Sequence, residues 1–204
     1  MSERLKIRLG MVCFVAYGVM ALSGLPLRGP VIIPSADPVR WSEVALLPSH
    51  DLAWAILLPA LVLQLFGFFA FWGFMRLRPY GELAFWGMVL SVAGNALFLP
   101  STGILAFVDP VAAELFRAGL ESEAMAVAGA GVEGPLSGAI LAGSGIMLLV
   151  GSVLIAVVLW RSPLFPRWTS VLYLLHAFAL TLAVTISYTL EQLGGLMILV
   201  VALA

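Results

Sequence analysis

The sequence predicts an all-α fold: a polytopic transmembrane helical bundle of about five to six spans, with residues 1–204 as a single domain. Three observations carry that expectation. Hydrophobic residues make up 62% of the chain, charged residues 10%, and the mean hydropathy is +1.10. Soluble domains carry about 25% charged residues, so this chain lacks the polar surface to face water. Its apolar runs approach the ~20 residues that a helix needs to cross a bilayer core, not the alternating segments of ~10 residues that mark barrel strands. The charges, finally, are confined to the breaks between these runs.

Arg4, Lys6 and Arg8 precede the first apolar run, residues 9–25. This stretch also resembles a cleavable signal peptide ending near Ala21-Leu22-Ser23; an uncleaved first span is the preferred reading. Residues 26–50 form a polar, proline-rich connection. Within it Asp37-Pro38 reads as a helix start, cap followed by proline. Glu43 lies on that short amphipathic stretch and Pro48-Ser49 ends it. The second span covers residues 51–75 with Ser49 as its cap, and Arg76, Arg78 and Pro79 make a tight turn. The third covers 82–105, with a kink or early end expected at Pro100-Ser101-Thr102-Gly103.

A second long connection, 106–134, opens at Asp109-Pro110, again a helix start. Glu114 there favours the positive end of the helix dipole. Phe116 and Leu120, four apart, predict a helix lying on the membrane surface; Glu121 and Glu123 follow. The fourth span covers 135–160 and the fifth 168–188, joined by Arg161-Ser-Pro-Leu-Phe-Pro166-Arg167. Residues 193–204 form a partial sixth span: they rise only about 18 Å against a core of about 30 Å. A carboxylate at Ala204 would then end inside the bilayer, so the sequence reads as the front part of a longer chain.

Charge placement sets the orientation. Arg4, Lys6, Arg8, Arg76, Arg78, Arg161 and Arg167 fall on one side of this helix count. Asp37, Glu43, Asp51, Asp109, Glu114, Glu121, Glu123 and Glu133 fall on the other. The positive-inside rule makes the first side, and the N-terminus, cytoplasmic, with Trp72, Trp86, Trp160 and Trp168 as an interfacial belt.

Aligning Gly67 with Gly151 matches two hairpins, each with a proline (Pro79, Pro163) at the same offset and a tryptophan (Trp86, Trp168) opening the next span. Each hairpin also has an outer segment opened by Asp-Pro-Val. A parallel two-helix hairpin repeat about an axis along the membrane normal would produce this pattern. So would the general preference of glycine, proline and tryptophan for such places.

Polar groups inside the spans are the candidates for function. Gln64 and His176 fall at similar depth by residue rise and are expected to hydrogen-bond across the bundle. The stripe Gly87, Ser91, Asn95 and the stripe Ser137, Gly138, Ser144, Gly145, Gly151, Ser152 fit close helix packing. Gly134 and Gly138 add a GxxxG element, so Gly138→Leu should disrupt assembly. The ligand-binding candidates are His50, Asp51, Asn95, Ser101, Thr102 and Glu133, expected in the outer half of the bundle or at its edge. There a histidine beside carboxylates would serve as an acid–base pair or bind a cation.

Other chemistries find no support. The net charge of −1 argues against a nucleic-acid partner, and the single Cys13 excludes an intrachain disulfide. Nucleophile elbows, phosphate loops, dinucleotide fingerprints and HExxH motifs are absent, as are filter sequences. The only two histidines, His50 and His176, sit at different depths, which opposes a bis-histidine haem or a histidine-rich metal site. No catalytic residue, metal or cofactor is therefore expected.

The pattern at His50 to Trp72 and Gly151 to Val171, with its Pro166-Arg167-Trp168 turn, resembles uncharacterised bacterial multi-spanning membrane proteins. The resemblance implies a bacterial cytoplasmic (inner) membrane location and no particular activity. The residue pattern favours a non-enzymatic protein: an accessory or interaction subunit, or a binder of a lipid-like molecule. Its partners would be the lipid bilayer, other membrane subunits or further copies of itself. Two alternatives stand beside it, an outer-face enzyme or transporter using His50, Asp51 and Glu133, and a pigment- or quinone-binding subunit.

Overall fold

A computed structural model of the protein describes residues 2–132, 134–181 and 188–204. Among these, every regular element is helical: α1 (Glu3–Arg28), α2 (Pro38–Ala45), α3 (His50–Met75), α4 (Gly81–Gly103), a π-helical turn (Ile104–Val108), α5 (Asp109–Arg117), α6 (Glu121–Val132), α7 (Pro135–Arg161), α8 (Arg167–Thr181) and α9 (Tyr188–Ala202). Four helical runs are long and apolar enough to cross a membrane, starting at Glu3, His50, Gly81 and Glu121. The third, at 37 residues, would reach about 55 Å against a hydrocarbon core of about 30 Å. Its last part, α5, therefore projects beyond the span. Helices α8 and α9 show 15 residues each. The expected extent of the fifth span to residue 188 falls partly on residues 182–187, outside the described residues. Helix α9 begins at Tyr188, ahead of the expected start at 193, so Glu191 belongs to its first turn.

The helix ends follow local chemistry. Ser2 caps α1 by accepting from Leu5 N at 3.3 Å, and Asp37 caps α2 by accepting from Arg40 N at 3.1 Å. Ser49 stands at the head of α3, but its hydroxyl donates to Leu27 O at 2.7 Å instead of capping. Pro100 does not end α4. The helix runs on to Gly103 and passes through the π turn into α5, a local widening that keeps backbone groups paired where water is scarce. Because the chain enters α5 already helical, Asp109 has no open N-terminus to cap. Its carboxylate accepts from Trp41 Nε1 at 3.3 Å instead.

Two pairs of helices form the frame, each closed by glycines at the contact. In the α1/α3 pair, a Cβ on Gly67 would lie 2.7 Å from the Phe14 ring, and one on Gly10 would collide with Ala70. In the α4/α7 pair, a Cβ on Gly94 would lie 2.9 Å from both Leu148 N and Ser144 O, and one on Gly151 would lie 2.5 Å from Ser91 Oγ. Ser144 Oγ adds a hydrogen bond to Gly94 O at 2.8 Å. These backbone approaches match the small-residue stripes expected for packing. The GxxxG element takes no part in them: Gly138 has nothing within 4 Å, because its face of α7 turns away from α4. In each pair the two helices are joined through a segment opened by Asp-Pro-Val, at Asp37 or Asp109.

Helix α8 is tied to α7 by Ser170 Oγ donating to Ala156 O at 2.6 Å. Helix α9 lies on α1, where a Cβ on Gly18 would meet Leu199 at 2.8 Å. The basic turns share the end of the bundle that holds the N-terminus. Glu3 pairs with Arg76 there, and Phe165 of the α7–α8 turn packs on Phe71 and Phe74. At the opposite end α2, α5 and α6 make a cap with a small core of Trp41, Ala45, Ala112, Ala113 and Ala128. Phe116, expected against the membrane surface, turns instead onto Trp41 with ring centroids 6.5 Å apart; Leu120 is exposed. Around the bundle Val12, Val19, Phe66, Phe69, Ile146, Val150, Leu175 and Phe178 face outward, a surface suited to hydrocarbon and costly in water.

Candidate functional site

The two helix pairs do not close on each other at mid-height. Between them, with α8 as the third wall, lies a cavity of about 160 Å³. Its position follows from side-chain direction on each helix. Gln64 and Phe68 come from α3, Asn95 and Phe98 from α4, and Ser144, Leu148 and Ser152 from α7. Helix α8 supplies Tyr173 and His176, and α1 supplies Tyr17.

The polar groups here are buried and partly committed. Asn95 Nδ2 donates to Gln64 Oε1 at 2.6 Å, which ties the two pairs together. His176 Nδ1 lies 2.8 Å from Gly194 O. A carbonyl only accepts, so Nδ1 carries the ring proton and Nε2 keeps its lone pair. Both Tyr17 and Tyr173 set their rings edge-on or tilted to His176 at about 6 Å. The expected bond between Gln64 and His176 is thus replaced by two others, although both residues line the same cavity. Gln64 meets Asn95 because α3 and α4 are adjacent in the hairpin. His176 is drawn to Gly194 because α9 packs beside α8.

A second, smaller pocket of about 30 Å³ lies under the cap. Arg28 at the end of α1 is buried and pairs with Glu191 of α9 at 2.5 Å, with its guanidinium 6.0 Å from the Trp54 ring. Trp54 Nε1 donates to His50 Nε2 at 3.0 Å, one turn apart on α3. That leaves the His50 proton on Nδ1, which has no hydrogen-bond partner among the described residues, like Asp109 Oδ1 in the same pocket. Burial raises the Asp109 carboxyl to about 6, while the bond from Trp41 acts in the opposite direction.

The residues expected to share one outer pocket are therefore divided. His50 is in the pocket under the cap and Asn95 is in the mid-bundle cavity. Asp51 lies 3.6 Å from His50 Nδ1, but its side chain is 99% exposed. Ser101 lines neither space, and Thr102 donates to Leu99 O of its own helix at 2.7 Å. Glu133 lies outside the described residues. Sequence reasoning passed over Tyr17, Tyr173, Arg28 and Glu191. The tyrosines sit alone in apolar runs, and a polar tip at span centre was a usable signal. Arg28 and Glu191 are 163 positions apart, and nothing local links them.

Fold and site together define a helical bundle fit for a membrane, with a largely apolar cavity at its centre that holds a few polar groups. No protein-family model, curated protein or solved structure matches the chain.

Proposed function

We propose that this protein is a non-enzymatic, multi-spanning membrane protein that binds a small lipid-soluble molecule between its two helix pairs. The observation that carries the reading is the mid-bundle cavity: about 160 Å³, walled by apolar side chains and holding a few neutral polar groups that converge from five helices. Ligand sites in proteins have this make-up, apolar walls with a small number of placed polar groups. Counting α8 and α9 with the four long runs gives about six spans. The positive-inside rule turns the basic end, and the N-terminus, to the cytoplasm of a bacterial cell. The two pairs would then be parallel copies of one unit. The outer-face enzyme reading draws less support, since Trp54 occupies one nitrogen of His50 and the Asp51 carboxylate beside the other is fully exposed.

Gly145→Leu tests the reading. Gly145 lines the cavity, and an added Cβ meets only Thr181 Cγ2 at 3.7 Å, an ordinary contact, so the longer side chain fills the space without forcing the helices apart. Native protein extracted in nanodiscs should release a small molecule on denaturation, seen by mass spectrometry, that the correctly folded Gly145→Leu variant lacks. Identical small-molecule content in the two would refute it.

A further inference from the structure

We propose that the ligand of the mid-bundle cavity is an uncharged single ring bearing a hydroxyl or carbonyl oxygen, the headgroup chemistry of phenols and quinones. This rests on the binding reading above and narrows it to a class. Size sets the first limit. An engineered cavity of about 150 Å³ in an unrelated protein takes up one benzene molecule, and this cavity is about 160 Å³. One six-membered ring is the size that fills such a volume.

Charge sets the second limit. Among the described residues no Arg, Lys, Asp or Glu lines the cavity, and a carboxylate or amine buried there without a counter-charge is strongly disfavoured. Wall chemistry favours a flat ring, since Tyr17, Phe68, Phe98 and Tyr173 all contribute to the lining and aromatic rings pack well edge-to-face or offset.

The remaining hydrogen-bond capacity requires an oxygen. Ser144 and Thr181 spend their hydroxyl protons on Gly94 O and Ala177 O, while the residues Tyr17, Ser152 and Tyr173 bring further hydroxyls to the lining. Gln64 is different: its Oε1 is taken by Asn95, so its amide N–H groups remain as donors. His176 spends Nδ1 on Gly194 O, so Nε2 remains as an acceptor. A pure hydrocarbon would leave both unanswered. A ring oxygen accepts from Gln64, and as a hydroxyl it also donates to His176.

Three probes of one shape separate the terms: p-cresol, toluene and p-toluate, which differ in a hydroxyl, a hydrogen and a carboxylate on the same ring. Binding to the purified full chain in nanodiscs is measured against the Gly145→Leu variant, which subtracts partition into lipid. The expected result is p-cresol roughly two- to ten-fold tighter than toluene, the range that one hydrogen bond contributes, with p-toluate at background. Gln64→Leu should reduce the preference for p-cresol, with the bond to His176 remaining, while leaving toluene bound. Equal binding of p-cresol and toluene, or binding of p-toluate, overturns the class but leaves the cavity as a ligand site. Failure of all three to exceed the Gly145→Leu background overturns the class and the binding reading together.

Discussion

Replacing Gly151 by alanine adds one methyl group at the tightest point of the α4/α7 seam. Its Cβ would stand 2.5 Å from Ser91 Oγ, 2.8 Å from Ser91 N and 2.9 Å from Gly87 O, where ordinary contact begins at 3.4 Å. The Ser91 hydroxyl can rotate away, but the two backbone atoms cannot. The helices must therefore part by about 0.5 Å, enough to forfeit roughly a quarter of the dispersion energy along the seam. Overpacking of this kind costs about 1–3 kcal/mol. The better helix propensity of alanine returns up to about 1 kcal/mol. A net loss of about 1–2 kcal/mol is expected. Gly138→Ala is the control, since on the same helix it meets nothing within 4 Å and should be neutral or slightly stabilising. Reversible unfolding in mixed micelles, titrated with a denaturing detergent, measures both. Equal stability of the two variants would refute the argument that backbone approach at Gly151 holds the seam.

Breaking the buried pair of Arg28 and Glu191 by Glu191→Gln should cost about 3–5 kcal/mol in the same assay, because it strands a buried guanidinium. Replacing both residues by leucine should recover most of that loss, and a double variant worse than either single one would contradict the reasoning. For Asp109, the folded carboxyl titrates near 6, above its ordinary 3.8, so the folded cap favours the protonated form. Its contribution is full below about pH 4 and is lost as pH rises through 6. Trp41 fluorescence should therefore change around pH 6, while thermal stability should fall from about pH 4 to about pH 6 and level off above it. Asp109→Asn should remove that step, and an unchanged step would assign it to another group.

Much of the frame was legible in the sequence. The apolar runs placed the ends of α3, α4 and α7 to within two residues and fell inside α1, whose start at Glu3 precedes the expected residue 9, and Asp37-Pro38 marked α2 correctly. The Gly87/Ser91 and Gly151/Ser152 stripes pointed at the seam because backbone approach demands small residues wherever it occurs. What resisted reading was long-range. Depth estimated from residue rise put Gln64 and His176 on one level and missed that hairpin adjacency gives Gln64 to Asn95. Asp109-Pro110 has the composition of a helix start, yet the π turn carries the helix straight through it. The cavity is a mismatch between two packed pairs. No single helix encodes such a mismatch, so only its polar lining left a trace in the sequence.

The glycine contacts within α1/α3 and within α4/α7 have a mechanical consequence. Where a glycine lets a neighbouring helix seat closely, as Phe14 does on Gly67 and Ser91 on Gly151, there is little room to rearrange, so each pair moves as a stiff plate. Among the described residues, the plates are bridged at mid-height by the side-chain bond of Asn95 to Gln64. The soft coordinate of the bundle is thus a scissoring of one plate against the other, with α8 as the flap over the gap. Whatever reaches the cavity from the lipid would enter along that gap.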